Sequence, residues 1–317
     1  MVEPSIEAPD FEPSGDQFVF IIHPIDPKKD VGRRYPLLGK ILTEDQIDFF
    51  GRRWPPVYVS HITGIQSQET GKVIDGHFVA VPYTPRRMLQ LPVGEVYNKI
   101  VKAGKMAERL GAGIMGLGAF ASVVGDAGVT VAQRSTIAIT TGDAYTVAMG
   151  VEAVLEAGRQ MGTDIASATV AVVGASGAIG AASSQLLARH AGRLILVGRR
   201  ERRLNVVREQ CEGFNADVSI STDIASIYEA DLILSATSAV SAIIEPEHLK
   251  PGAVVCDTAI PRDVSLKVIR QRDDVLVIEG CVVDVPGQVN FNFNFGYPKR
   301  RALACMAETM ALTLEGR

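Results

Sequence analysis

The sequence is poor in what would make a disulfide scaffold, a metal protein, a membrane span or a nucleic-acid binder. Only 4 of 317 residues are cysteine. Cys211, Cys256, Cys281 and Cys305 are scattered, without the spacing of a metal site or a disulfide framework. A reduced, cytoplasmic setting is expected, and no metal. No apolar run reaches the length of a transmembrane helix. A basic surplus is also missing: 32 Lys and Arg face 36 Asp and Glu, a net charge of −4, so bulk nucleic-acid binding is not expected. No internal repeat is visible. Residues 1–16 are acidic and Pro-rich and lack the basic start and apolar core of a signal peptide, which predicts a disordered tail. What remains is ordinary soluble-protein composition, 47% hydrophobic and 21% charged, in a chain long enough for two cores.

The stretch 169–200 is the most informative. A β-branched run from Thr169 to Val173 ends in Gly174-Ala175-Ser176-Gly177-Ala178-Ile179-Gly180. A small-residue helical segment follows, then the apolar run Arg193–Val197. Strand, glycine turn, helix and strand in this order make a dinucleotide-binding unit, here with Gly-x-x-Gly-x-x-Gly spacing. Gly174 lets the chain turn out of the strand, Gly177 lets a pyrophosphate approach the backbone, and Gly180 lets the helix lie close to the sheet. The helix N-terminus then holds the anion. After the second strand an acidic residue would select NAD. This chain has Arg199, Arg200 and Arg203 instead, which suit a 2′-phosphate, so NADPH is the expected cofactor.

Further short strands at 218–220, 231–237, 253–258 and 275–280 alternate with helical segments. The fold class is therefore α/β, a Rossmann-type doubly wound parallel sheet plus a second α/β substrate domain. The expected division is residues 1–16 as tail, 17–162 as substrate and catalytic domain, and 163–296 as NADP-binding domain. Residues 297–317 form a last helix that returns to the cleft. Strand ends place Ala236, Thr237, Ser238 and Gly280 near the nicotinamide. In the first domain, 18–22, 57–65 and 72–81 read as strands. Helices are expected at 94–110 and from Thr141-Gly142-Asp143 to about 161. The glycine-rich stretch 114–124 reads as a close backbone approach or a strained loop.

Candidate chemical groups each have a plainer reading. Cys305 falls two turns into a helix expected to start at Pro298, with Arg301 on the same face favouring thiolate. Between Ala304 and Met306 it also reads as core packing. Cys281 is a weaker rival. Ser122 and Thr140, Thr141, Gly142 and Asp143 offer polar groups at element ends, where capping is the ordinary use. His23, His61 and His77 read as structural groups at strand ends or edges, and Lys99, Lys102 and Lys105 as a solvated face.

The segments Gly71-Lys-Val-Ile-Asp-Gly, Leu117-Gly-Ala-Phe-Ala-Ser, Thr140-Thr-Gly-Asp, Asp164–Gly180 and Ala304-Cys-Met-Ala-Glu-Thr-Met carry a resemblance over nearly the whole chain. The chain resembles the long-chain acyl-(acyl-carrier-protein) reductases of cyanobacteria. The resemblance implies an aldehyde-forming, NADPH-dependent reductase in which Cys305 accepts the acyl group. It further implies an acyl carrier protein, or a coenzyme A thioester, as substrate carrier. Ser122 is expected to assist catalysis, and Thr140, Thr141, Gly142 and Asp143 to contact substrate. Two departures stand out: Asp143 replaces an asparagine of the family pattern, and the chain stops at Arg317 where family members continue. The alternatives are an NADP-dependent dehydrogenase of a small polar substrate, of shikimate/quinate or amino-acid type, and an NADP-binding sensor without turnover.

Overall fold

The computed structural model describes residues 16–316, so all of the acidic tail but Asp16 lies outside the described residues. The chain divides into two compact units, Met1–Gly142 with Val283–Arg317, and Asp143–Val282.

The first unit opens with β1 (Gln17–Ile22). Helices α1 (Pro27–Arg34), α2 (Pro36–Ile41) and α3 (Glu44–Gly51) lead to the hairpin of β2 (Val57–Gln66) and β3 (Val73–Ala80). Then come α4 (Pro85–Gln90), α5 (Val93–Arg109), β4 (Ala112–Leu117), α6 (Phe120–Val123), α7 (Val129–Gln133) and β5 (Ala138–Thr140). The strands are ordered β2-β3-β1-β4-β5. β1 runs parallel to β3 and β4, β4 runs parallel to β5, and only β2 of these is antiparallel to its neighbour.

β1 is buried on both faces, as a central parallel strand must be. Val19 and Ile21 join the core that holds Val96, Ile100, Ala103 and Ala107 of α5, whose spacing lays one helical stripe on the sheet. Phe18 and Phe20 point to the opposite face. Each of these phenylalanines faces a glycine on an adjacent strand, Phe18 opposite Gly76 and Phe20 opposite Gly116. A β-carbon at either glycine would overlap the phenyl ring. In the stretch 114–124 the close approach expected from its glycines is present, since a β-carbon at Gly118 would also overlap the Ile21 carbonyl. The first residues of this stretch, Ile114 to Leu117, are a central strand, glycine-bearing because neighbouring side chains fill the space.

The second unit begins with α8 (Asp143–Gln160). It continues through β6 (Thr169–Val173), α9 (Ala178–Leu187), β7 (Arg193–Val197), α10 (Glu201–Gln210), β8 (Asp217–Ser221) and β9 (Leu232–Ser235). It ends with β10 (Val254–Asp257), α11 (Leu266–Gln271) and β11 (Leu276–Glu279). The order β11-β10-β9-β6-β7-β8 is parallel throughout and reverses direction at β6. This is a Rossmann-like NAD(P)-binding sheet. In β6, Val170 and Val172 enter one core while Ala171 and Val173 enter the other, so helices cover both faces. The unit boundary falls before α8 rather than after it. α8 packs on β9, β10 and α9, and Gly158 leaves room for the Leu232 side chain.

The chain then re-enters the first unit through β12 (Val282–Asp284), β13 (Gly287–Asn290), β14 (Arg301–Leu303) and α12 (Ala304–Glu315). β13 extends the first sheet by pairing antiparallel with β2. Phe291, Phe293 and Phe295 pack against Phe78, while Asn290, Asn292 and Asn294 face solvent. α12 lies on β1, β3 and β4. Its start corrects the expected helix from Pro298. Arg300 turns with φ of 64°, residues 301–303 pair with β12, and the helix begins only at Ala304.

Candidate active site

The glycine loop follows β6, the strand at which the sheet order reverses. Gly174 has φ of 83°, a left-handed turn closed by the Gly177 N–H donating to the Gly174 carbonyl, while the N–H groups of Gly174 and Ala175 both donate to the Val197 carbonyl at the end of β7. Gly180 is packed so that a β-carbon would overlap the Gly174 carbonyl. Gly177 differs. It caps α9 with ordinary extended geometry, and the nearest atom to a β-carbon there would be the Gly174 oxygen at 3.4 Å. No side chain caps α9, and Gly177 at its start is exposed, so the helix N-terminus is left uncovered by any capping side chain. Ala175 is buried in the core, Ser176 and Ile179 are half-buried, and Ala178 is exposed. This cradle fits a pyrophosphate. Arg199, Arg200 and Arg203 follow β7, all exposed, and no salt bridge among the described residues engages them.

Two buried carboxylates at the neighbouring strand ends escaped the sequence reading. Asp263 is fully buried. It accepts from the Ser235 hydroxyl at 2.6 Å, the Thr237 hydroxyl at 2.5 Å and the Thr237 N–H at 3.0 Å. Asp257 accepts the N–H groups of Ala259 and Val264, both at 3.0 Å. Burial, together with the charge of Asp263, pushes the Asp257 carboxyl up to about 6. They pin the loops after β9 and β10, including Thr237. Ser238 is exposed, and the Ala236 carbonyl lies against Gly174. Gly280 is glycine because the Cys256 thiol occupies the space of its β-carbon.

In the first unit Cys305 is the second residue of α12, in its first turn rather than two turns in. Arg301 is in β14 and pairs with Asp284 at 3.2 Å, so a shared helix face no longer argues for thiolate. The helix N-terminus takes its place as the source of positive potential. Leu303 caps α12 and offers no side-chain acceptor. Three contacts hold this turn. Gly142, with φ of 73°, lies so close that a β-carbon would overlap Cys305. Thr140 donates its hydroxyl to Glu308 at 2.5 Å. Thr309 fills the space left by Gly116 and donates to the Cys305 carbonyl at 3.1 Å.

Other candidates have defined surroundings. The Ser122 hydroxyl is buried and donates to the Ala119 carbonyl at 2.7 Å, within its own turn. The Gly142 N–H donates to the Thr140 hydroxyl at 3.1 Å. Thr141 is half-buried, and Asp143 opens α8 in the second unit. Cys281 is buried and reaches the Thr258 carbonyl at 3.8 Å. His61 and His77 stand in mid-strand on the adjacent strands β2 and β3, their rings stacked at 4.9 Å. Lys99 is buried rather than solvated. It donates to the Arg52 and Trp54 carbonyls and lies over the Tyr83 ring, and burial lowers its pKa to about 8. Among the described residues no His, Cys, Asp and Glu group forms a metal site, and no helix is long and apolar enough to cross a membrane.

The parallel sheet, its glycine loop and its bare helix N-terminus are those of an NAD(P)-dependent oxidoreductase fold. The shikimate / quinate 5-dehydrogenase family model matches residues 156–279, all within the second unit. Aminotransferase PigE of a Serratia species is 31% identical over 257 residues. That is 78% of this chain, which spans only 29% of PigE. The long-chain acyl-(acyl-carrier-protein) reductase of Synechococcus elongatus is 31% identical over 306 residues, 92% of this chain and 86% of that protein. The chain belongs to the family of that reductase. Among solved structures, one component of the dipicolinate synthase of Bacillus halodurans aligns over 94% of this chain and 96% of its own, at 12% identity and a TM-score of 0.40.

Proposed function

We propose that the protein reduces a long-chain acyl thioester to a fatty aldehyde through an acyl-enzyme on Cys305. The carrying observation is the placement of that thiol in the first turn of α12, fixed by the Gly142 backbone. A helix N-terminus favours thiolate and stabilises the oxyanion that forms when the thiolate attacks a thioester carbonyl. Cys305 Sγ forms the new C–S bond, the carrier thiolate leaves and takes a proton, and one difficult step becomes two easier ones. Backbone N–H groups of α12 are the better oxyanion donors, since the Ser122 hydroxyl already serves Ala119 and the Gly142 N–H already serves Thr140.

NADPH is the proposed cofactor. The α9 N-terminus and Gly177 would hold its pyrophosphate, and Arg199, Arg200 and Arg203 its 2′-phosphate. When bound it supplies the hydride that converts the acyl thioester to the aldehyde and regenerates the thiolate.

The carrier is proposed to be an acidic acyl carrier protein. The first unit carries three adjacent arginine pairs, Arg33-Arg34, Arg52-Arg53 and Arg86-Arg87, and one arginine of each is used internally, Arg33 by Asp30, Arg52 by Glu95 and Arg87 by Asp48. Arg34, Arg53 and Arg86 remain exposed for docking. The match to the shikimate/quinate model stays inside the cofactor unit, so it supports dinucleotide binding and leaves the substrate to the first unit. Intact-protein mass spectrometry after incubation with a long-chain acyl thioester tests the proposal. One adduct mapped to Cys305 and discharged as aldehyde by NADPH is expected. Full aldehyde formation by Cys305→Ala would refute it.

A further inference from the structure

We infer that Thr140 and Glu308 form a positioning pair that locks the turn after β5 onto the first turn of α12 and so orients the Cys305 thiol. The inference rests on the acyl-enzyme reading for its role in turnover, but its geometry stands independently.

Glu308 follows Cys305 by three residues, so both side chains lie on one side of α12. The Thr140 hydroxyl gives its only proton to the Glu308 carboxylate at 2.5 Å. The same oxygen accepts the Gly142 N–H at 3.1 Å. The result is a continuous chain from the Gly142 amide through the Thr140 hydroxyl to a carboxylate on the nucleophile's own helix. At its other end Gly142 closes the loop through space, its backbone resting on the Cα and Cβ of Cys305.

Each part has a physical reason. Gly142 must be glycine, both for its positive φ and for the contact. Thr140 must carry a hydroxyl, because it donates and accepts at once. Glu308 needs only an acceptor oxygen. A carboxylate one turn from a thiol also opposes thiolate formation by its charge, and the bond to Thr140 gives that charge a partner. Thr140 and Gly142 therefore act on the nucleophile rather than on substrate, which changes the role expected for them from sequence.

Removing either end of the pair frees the turn, so Thr140→Val and Glu308→Ala should each slow Cys305 ~10-fold, by loss of orientation. The double variant should be no slower than either single, because one interaction cannot be lost twice, whereas independent effects would multiply to ~100-fold. Thr140→Ser and Glu308→Gln keep donor and acceptor and should restore the rate. Two readouts are needed. One is kcat with a long-chain acyl thioester. The other is the pH profile of Cys305 alkylation by iodoacetamide, mapped by mass spectrometry, which requires no acyl substrate. Wild-type rates for Thr140→Val in both readouts, failure of Thr140→Ser to rescue, or a multiplicative double variant would each overturn the pair. If Cys305→Ala still made aldehyde, the acyl-enzyme reading would fall while the alkylation series still decided the positioning.

Discussion

The backbone N–H of Phe120 donates to Nε2 of His23 at 2.9 Å. The bond joins the ends of β1 and β4 and requires a neutral ring with its proton on Nδ1. Burial holds the His23 pKa down at about 4, against a smaller raising effect of the Pro24 backbone. His77, fully buried and bonded to the Gln17 side chain at 2.6 Å, is held at about 4 by burial and by His61. In both cases the unfolded chain, with a pKa near 6.5, takes up the proton first. Stability is therefore lost as pH falls from about 6.5 through about 4, by up to ~3 kcal/mol per histidine. Asp257 works in the opposite sense, since its raised folded value favours the fold as pH drops below about 6. The two histidines outweigh it. Urea unfolding midpoints should fall through this window, and His23→Gln, which keeps an acceptor but cannot titrate, should fall less steeply. Superimposable curves would show that His23 is not a source of the acid sensitivity.

Gly177 and Gly180 belong to one motif but fail differently. A β-carbon at Gly180 would overlap the Gly174 carbonyl, so Gly180→Ala must shift α9 and should cost about 1–3 kcal/mol of stability. At Gly177 the nearest contact is an ordinary 3.4 Å and the backbone is unstrained. Gly177→Ala should keep stability within about 0.5 kcal/mol. It should nonetheless weaken cofactor binding by ~10-fold, because the added methyl stands where the pyrophosphate approaches. Urea titration and cofactor fluorescence separate the two. Equal destabilisation by both variants would contradict the difference in packing.

The contrast shows which features were legible in the sequence. The second unit was nearly transparent, because a parallel strand buried on both faces is a plain apolar run and the glycine loop sits between two of them. In the first unit β4 was hidden by Gly113 and Gly116, and the missing information was non-local. Gly116 belongs to a strand because Phe20, almost a hundred residues earlier in the chain, fills its space. Cys305 was visible as a residue, but its position in the helix was misjudged. Pro298 is a proper helix-start signal, and only pairing of 301–303 with 282–284 moves the start to Ala304. Asp257 and Asp263 had no sequence signature, since a carboxylate that collects backbone N–H groups is recognised only after the loops are folded.

Asp263 supports one such loop, and its removal has a specific consequence. Asp263→Ala would leave the Ser235 hydroxyl and the Thr237 N–H and hydroxyl without their acceptor in a buried setting. The cost should be about 1–3 kcal/mol in global stability. Cofactor affinity should fall as well, because Thr237 sits where the loop after β9 meets the glycine turn. Asp263→Asn retains one acceptor oxygen and should fall between the two. The measurement pairs thermal unfolding with cofactor titration on the same samples. Unchanged cofactor affinity in a destabilised Asp263→Ala would separate this loop from the dinucleotide.

The proposed preference for NADPH over NADH rests on the basic residues after β7. Arg199 and Arg200 end the turn out of that strand, and Arg203 lies in the first turn of α10. All three are exposed, so a 2′-phosphate can reach them without breaking an internal contact. A charged hydrogen bond to phosphate contributes about 1.5–3 kcal/mol. The double variant Arg199→Ala/Arg200→Ala should therefore weaken NADPH by ~100-fold or more. NADH, which lacks the phosphate, should be unaffected. Fluorescence titration with both dinucleotides gives the ratio directly. A wild-type protein that binds the two equally, or a variant that loses both in parallel, would return the site to NAD and leave the arginines as surface charge.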